Sequence, residues 1–106
     1  MIPYSKARAL AEAWVDIFTD GCGALFDEVD KKPYGWIFHY QSKDFMQSHD
    51  TRDMFIGSGP LIVDRIDGNL TAKGSGQSLE DILSEYEASL PKSRLRLPLP
   101  DEPTVA

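Results

Sequence analysis

The chain has 106 residues and weighs 11.9 kDa, a length that suits one domain around one modest core. Apolar residues make up 42% of it and charged residues 26%, which excludes global disorder, and no apolar run approaches the ~18 residues of a membrane span. Net charge is −6, and residues 1–89 carry eight Lys or Arg against fifteen Asp or Glu, so the body repels phosphate backbones, disfavours nucleic acid as a partner and attracts basic proteins.

The first residues, MIPYSKARALAEAW, lack a basic region followed by an apolar stretch, so a cytoplasmic location is expected. Cys22 is the single cysteine, so an internal disulfide is impossible and a cysteine-based metal site is not expected. It lies between Gly21 and Gly23 with no local base, which reads as a small loop residue rather than a nucleophile.

Residues 5–19 predict a helix with an apolar stripe of Ala7, Leu10, Ala11, Trp14, Ile17 and Phe18, stopped at Gly21. Lys6 and Arg8 near its start and Asp16 and Asp20 near its end oppose the helix dipole, so burial of Leu10, Trp14, Ile17 and Phe18 is expected to hold it. Residues 24–30 predict a first strand. Residues 34–41 predict the strongest one, with Trp36, Phe38 and Tyr40 on one face and Gly35, Ile37 and His39 on the other. Period-two rings on a strand are what a sheet needs to cover a helix, so these aromatics read as core. Residues 42–59 show no clear period and predict a long connection anchored by Phe45, Met46, Met54, Phe55 and Ile56.

Residues 60–65 and 70–73 predict an antiparallel strand pair closed tightly at Asp67-Gly68. KGSGQ at 73–77 is a flexible joint, after which Ser78 caps a helix with an apolar face of Leu79, Ile82, Leu83, Tyr86 and Leu90 and with Glu80 and Asp81 in its first turn. Four prolines after Leu90 oppose regular helix, and alternating Leu95, Leu97 and Leu99 predict an extended segment lying along the body, loose at its end. Together these elements predict an α+β fold: an antiparallel four-stranded meander packed against an N-terminal and a C-terminal helix over residues 1–90, followed by a Pro/Leu-rich extended tail over 91–106.

The search for chemistry returns little. Two histidines and scattered acids give no metal-binding spacing, and the run Asp50-Thr51-Arg52-Asp53 lacks the glycine and glutamate of a calcium loop. The glycine-rich stretches at 57–59 and 74–78 lack the lysine of a phosphate cradle, and Glu80 and Asp81 would repel phosphate. Asp27, Glu28 and Asp30 read as solvated charge on an edge strand, and no serine sits in a nucleophile elbow. No catalytic residue, cofactor or metal is expected. The profile is that of a protein-binding module rather than an enzyme.

Residues 35–86 carry an aromatic Gly35-Trp36-x-Phe38 strand, a loop ending at Gly59-Pro60, the strand PLIVDR with its Asp67-Gly68 turn, and an acidic helix bearing Leu79, Glu80, Ile82 and Tyr86. With the A-x-x-x-A-x-x-W helix before them, they resemble the immunity protein 35 family, which includes small bacterial YrhB-like proteins, over roughly residues 5–88. The resemblance implies a cytoplasmic antitoxin that binds and neutralises a cognate toxin of a polymorphic, contact-dependent or type VI delivered system. It also leaves open a chaperone-like protein that binds unfolded chains. Exposure and charge nominate Asp44, His49, Asp50, Arg52 and Asp53 as partner-binding residues, with the hairpin acids Asp64 and Asp67 behind them and a basic toxin surface as their complement.

Overall fold

The computed structural model describes residues 1–74 and 76–100. Helix α1 (Tyr4–Phe18) leads into β1 (Gly23–Lys32) and β2 (Gly35–Ser42). A short helix α2 (Lys43–Ser48) and one 3₁₀ turn (Thr51–Asp53) precede β3 (Leu61–Asp64) and β4 (Leu70–Ala72), and helices α3 (Leu79–Ala88) and α4 (Lys92–Leu95) follow. The strands form one antiparallel sheet in the order β1-β2-β3-β4, the expected meander. Ser75 of the glycine-rich joint and residues 101–106 of the tail lie outside the described residues.

The alternation in β2 sorts the core into two layers. Trp36, Phe38 and Tyr40 face α1 together with Leu25, Leu61 and Val63. Ile37 faces the other way and meets Tyr34, Ile62 and the α3 residues Ile82 and Leu83. The aromatics at 36 and 38 are therefore core, at 2% and 0% exposure, as their period predicts. Gly35 is required by close approach: a Cβ there would stand 2.0 Å from the Val63 carbonyl oxygen across the strand pair.

Helix α1 is present, but its buried stripe differs from expectation. Ala7, Ala11 and Val15, spaced by four, are the fully buried line, with Tyr4 and Trp14 partly buried beside it. Leu10, Ile17 and Phe18 are 38%, 80% and 67% exposed. The reason is volume. The sheet already supplies the large rings, and Tyr4 adds its own against Trp36 and Phe38 at centroid distances of 5.8 and 6.1 Å. Small side chains on the helix let it sit close to those rings, where larger ones would overpack the layer. The first turn has no acid and the last turn no base, and the structure shows no side-chain cap at the N-terminus, so this packing holds the helix.

Three further expectations are corrected. The 42–59 connection carries α2 and the 3₁₀ turn, and two of its expected anchors, Met54 and Ile56, are exposed. The β3–β4 link is a five-residue loop, residues 65–69, folded around Asp64 rather than a tight turn, with Gly68 at φ +72°. The segment after Leu90 is not wholly extended: Pro91 occupies the position before a one-turn helix, where its missing N–H costs nothing. Leu95 packs on the α3-side core, and Arg65 donates to the Pro98 carbonyl. Ser78 caps α3 as predicted, its hydroxyl accepting from the Asp81 N–H.

Two polar contacts lock the α3 side. Asp64, 1% exposed, accepts from Arg94 at 2.5 Å and from the Ile66 and Asp67 N–H groups. The Tyr34 hydroxyl donates to Glu87 at 2.9 Å. Arg94→Ala would leave the Asp64 charge buried without its cation. Because Arg94 keeps 27% of its side chain exposed, the expected loss is about 2–3 kcal/mol in urea denaturation, below the roughly 3–5 of a fully buried pair. Burial, then the Glu87 hydrogen bond and charge, raise the Tyr34 phenol above its ordinary value of 10.0. Folding thus favours the neutral phenol. The stability it confers is intact below pH 10.0 and falls as pH rises beyond it, so Tyr34→Phe is expected to weaken the protein at neutral pH yet flatten its alkaline loss, read by denaturation at a series of pH values.

Candidate functional site

The site grows from the end of β2. Gln41 is 5% exposed near the end of an aromatic-rich strand, and its amide explains why. Its carbonyl oxygen accepts from the Ser42 and Phe55 N–H groups at 2.9 and 2.7 Å, while its nitrogen donates to the Ser58 hydroxyl at 3.2 Å. One buried side chain therefore stitches the far end of the loop back to the sheet. Ser42 continues the pattern. Its hydroxyl accepts from the Phe45 N–H at 3.0 Å, capping α2, and donates to the Asp53 carbonyl.

The polar residues nominated from the sequence occupy this scaffold. Asp44 is exposed in the first turn of α2. His49 ends that helix in the left-handed region, φ 56°, with its N–H on the Phe45 carbonyl at 2.8 Å. Asp50 caps the 3₁₀ turn, accepts from the Arg52 N–H at 2.9 Å and binds the Arg52 guanidinium at 2.7 and 3.1 Å. Asp53 is exposed and accepts from the Ser48 hydroxyl at 2.6 Å. The structure thus brings these five residues together in one short region, where much of their polarity is spent on the loop itself.

Asp64 and Asp67 lie elsewhere. Asp64 pairs with Gly35 at the start of β2, whereas the 42–59 loop leaves from its end. Asp67 is exposed, 4.0 Å from Arg94. The expectation that Asp64 is an exposed hairpin acid is corrected: it is buried because it closes the hairpin and anchors Arg94.

Sequence reading missed a groove beside the loop. Trp14 and Phe18 from α1, Tyr40 from β2, Phe55 and Ile56 from the loop, and Ala72 at the end of β4 line a cleft of about 510 Å³. Trp14 and Phe18 stack at 4.6 Å and 15°, Tyr40 meets Trp14 edge-on at 5.7 Å, and Phe55 tilts against Tyr40 at 6.4 Å. Lys73 also lines it, and burial raises the Tyr40 phenol above its ordinary value. The signal for the groove was Phe18 at a helix end and Ile56 before a glycine, large apolar residues that the core leaves exposed.

A second surface feature sits on β1, where Phe26, Asp27 and Glu28 bulge out opposite the single residue His39. His39 faces Asp30 at 3.3 Å. Among the described residues no group of three or more His, Cys, Asp or Glu side chains could hold a metal ion, and no helix is long and apolar enough to cross a membrane.

The Arg52 side chain, then the Arg52 N–H, lower the Asp50 carboxyl below its ordinary value of 3.8. The contribution of this cap is present above pH 3.8 and disappears as pH falls through the depressed value. A carboxyl-carbon NMR titration should place Asp50 below 3.8, and Arg52→Ala should move its midpoint upward.

The profile described as Immunity protein 35 matches residues 5–89. An uncharacterized protein of Escherichia coli (strain K12), YrhB, is 30% identical over 53 residues, which is 50% of this chain and 56% of that relative's own length. No solved structure matches. With the helix–sheet–helix body and its capped acidic helix all inside the matched span, the chain belongs to the immunity protein 35 family.

Proposed function

We propose that this protein is an immunity protein: it binds a cognate toxin of a polymorphic secretion system directly and neutralises it in the cytoplasm, without catalysis. The observation that carries the reading is the family match over residues 5–89, nearly the whole described body. The chemistry of the surface supports it. The exposed acids outnumber the exposed bases. An acidic surface accelerates encounter with a basic partner and disfavours wrong ones. Asp44, His49, Asp50, Arg52 and Asp53 form the proposed charged contact, with Asp67 as a peripheral one. Asp64 is left out because it is buried.

The test is co-expression with the toxin-domain product of the neighbouring reading frame. Wild-type protein is expected to restore growth and to bind the purified toxin domain tightly as a stoichiometric complex. The double variant Asp44→Lys/Asp53→Lys is expected to slow association about tenfold at low salt, a difference that high salt removes. Absence of both protection and binding would overturn the reading. Promiscuous, salt-tolerant suppression of aggregation of unrelated unfolded proteins would favour the chaperone-like alternative.

A further inference from the structure

We propose that a protein partner enters the groove between the end of α1 and the 54–58 loop with one apolar side chain that has a carboxylate beside it. The apolar group lies on the rings and the carboxylate on Lys73. This rests on the binding reading above and names one contact within it.

The groove is built before any partner arrives. Phe18 lies flat against Trp14, and Trp14 meets Tyr40 edge-on. Gln41 pins the opposite lip through the Phe55 N–H and the Ser58 hydroxyl. The Lys73 backbone is fixed beside that lip: its N–H donates to the Pro60 carbonyl at 3.1 Å, and a Cβ on Gly59 would stand 2.0 Å from its carbonyl oxygen. Its side chain is exposed. An entering group therefore finds the walls already ordered.

The polar side chains that line the groove select the sign of the occupant. Thr19 is spent, accepting from the Gly23 N–H and donating to the Val15 carbonyl. The Ser58 hydroxyl accepts from Gln41 and keeps its own proton to donate. Tyr40 is neutral at neutral pH, because burial raises its phenol. Lys73 is thus the charge in the lining; no Asp or Glu lines the groove, and no carboxylate pairs with Lys73 among the described residues. A cation brought in on an apolar segment meets a like charge here, whereas a carboxylate finds an ammonium and a hydroxyl donor.

Exposure selects a protein rather than a free molecule. Phe18 and Ile56 line the groove yet are 67% and 102% exposed, and Ile17 and Met54 extend the apolar rim beyond it. A molecule small enough for about 510 Å³ leaves that rim wet, while a protein surface covers it together with the groove. A second copy of the chain, also at −6, is repelled. One cation within an acidic exterior also sets register. A basic partner is drawn to the exterior in many orientations, and an acid opposite Lys73 picks one of them.

The experiment uses the full chain and two variants with the same change in net charge: Lys73→Glu in the groove, and Lys92→Glu on α4, across the sheet. Both side chains are exposed, so the fold should survive, which near-UV circular dichroism and thermal unfolding check. Added negative charge by itself favours a basic toxin. Against the toxin domain from the neighbouring reading frame, Lys73→Glu is nevertheless expected to lose about tenfold or more in affinity, with Lys73→Gln between it and wild type. Lys92→Glu should bind as tightly as wild type or more so. Ile56→Ser should also weaken binding. If wild type binds and Lys73→Glu binds as Lys92→Glu does, the groove inference fails while the immunity reading stands. If wild type does not bind, the immunity reading fails.

A toxin-free arm judges the groove alone. Acetyl-Gly-Phe-Glu-Gly-amide should shift the amide resonances of Phe18, Ile56 and Lys73 more than acetyl-Gly-Phe-Lys-Gly-amide does, and Lys73→Glu should reverse that order. Equal shifts, or none from either peptide, would overturn the proposal. Larger shifts from 3-phenylpropionate would do so too, making the occupant a free molecule. So would a wild-type dimer in sedimentation that Ile56→Ser dissolves, making it a second copy.

Discussion

The structure depends on a fit between rings on a strand and small side chains on a helix. Trp36, Phe38 and Tyr40 project from one face of β2 toward Ala7, Ala11 and Val15 of α1. Neither partner is stable alone. The helix carries charges that oppose its dipole and no side-chain cap at its N-terminus, and the rings would be exposed without it. Because the strand supplies the bulk, the helix must supply the space. That division of volume sets the rotation of α1 about its axis, and the rotation decides which of its residues reach solvent. Ile17 and Phe18 are outside because Ala11 and Val15 are inside.

Buried polar side chains fix what the rings cannot. Gln41 ties the 42–59 connection to the sheet at one end of β2, and Asp64 ties the 65–69 loop and α4 to it at the other. Tyr34 does the same for α3 through Glu87. Each is a satisfied polar group in an apolar setting, where leaving a partner unpaired costs more than the bond contributes. Loops held this way keep a defined shape, which a surface that recognises another protein requires. The acids of the 42–59 region are accordingly both surface charge and scaffold: Asp50 caps the turn and engages Arg52, and Asp53 receives Ser48.

The exterior offers two kinds of surface. One is the acidic exterior, which would attract a basic protein, and the other is the largely apolar groove beside the 42–59 loop. The core and the groove share Tyr40, which packs on the core and walls the cleft. Core packing thereby shapes the groove wall.

Much of this fold was legible because strands and caps are local. The alternation at Trp36, Ile37, Phe38 and Tyr40 needs only the pleat of a strand to assign its faces, and Ser78 needs only the geometry of a helix start. The sequence by itself therefore determined the four strands, the two principal helices, the aromatic core and the acidic character of the exterior. Tertiary structure alone decided the rotation of α1, the burial of Asp64 beside Arg94, the one-turn helix after Pro91 and the existence of the groove. A helix with apolar residues on much of its circumference has several faces it could bury, and an acid in a hairpin is exposed until some distant cation reaches it. Those outcomes depend on the shape and charge of partners far away in the chain, which no local period encodes.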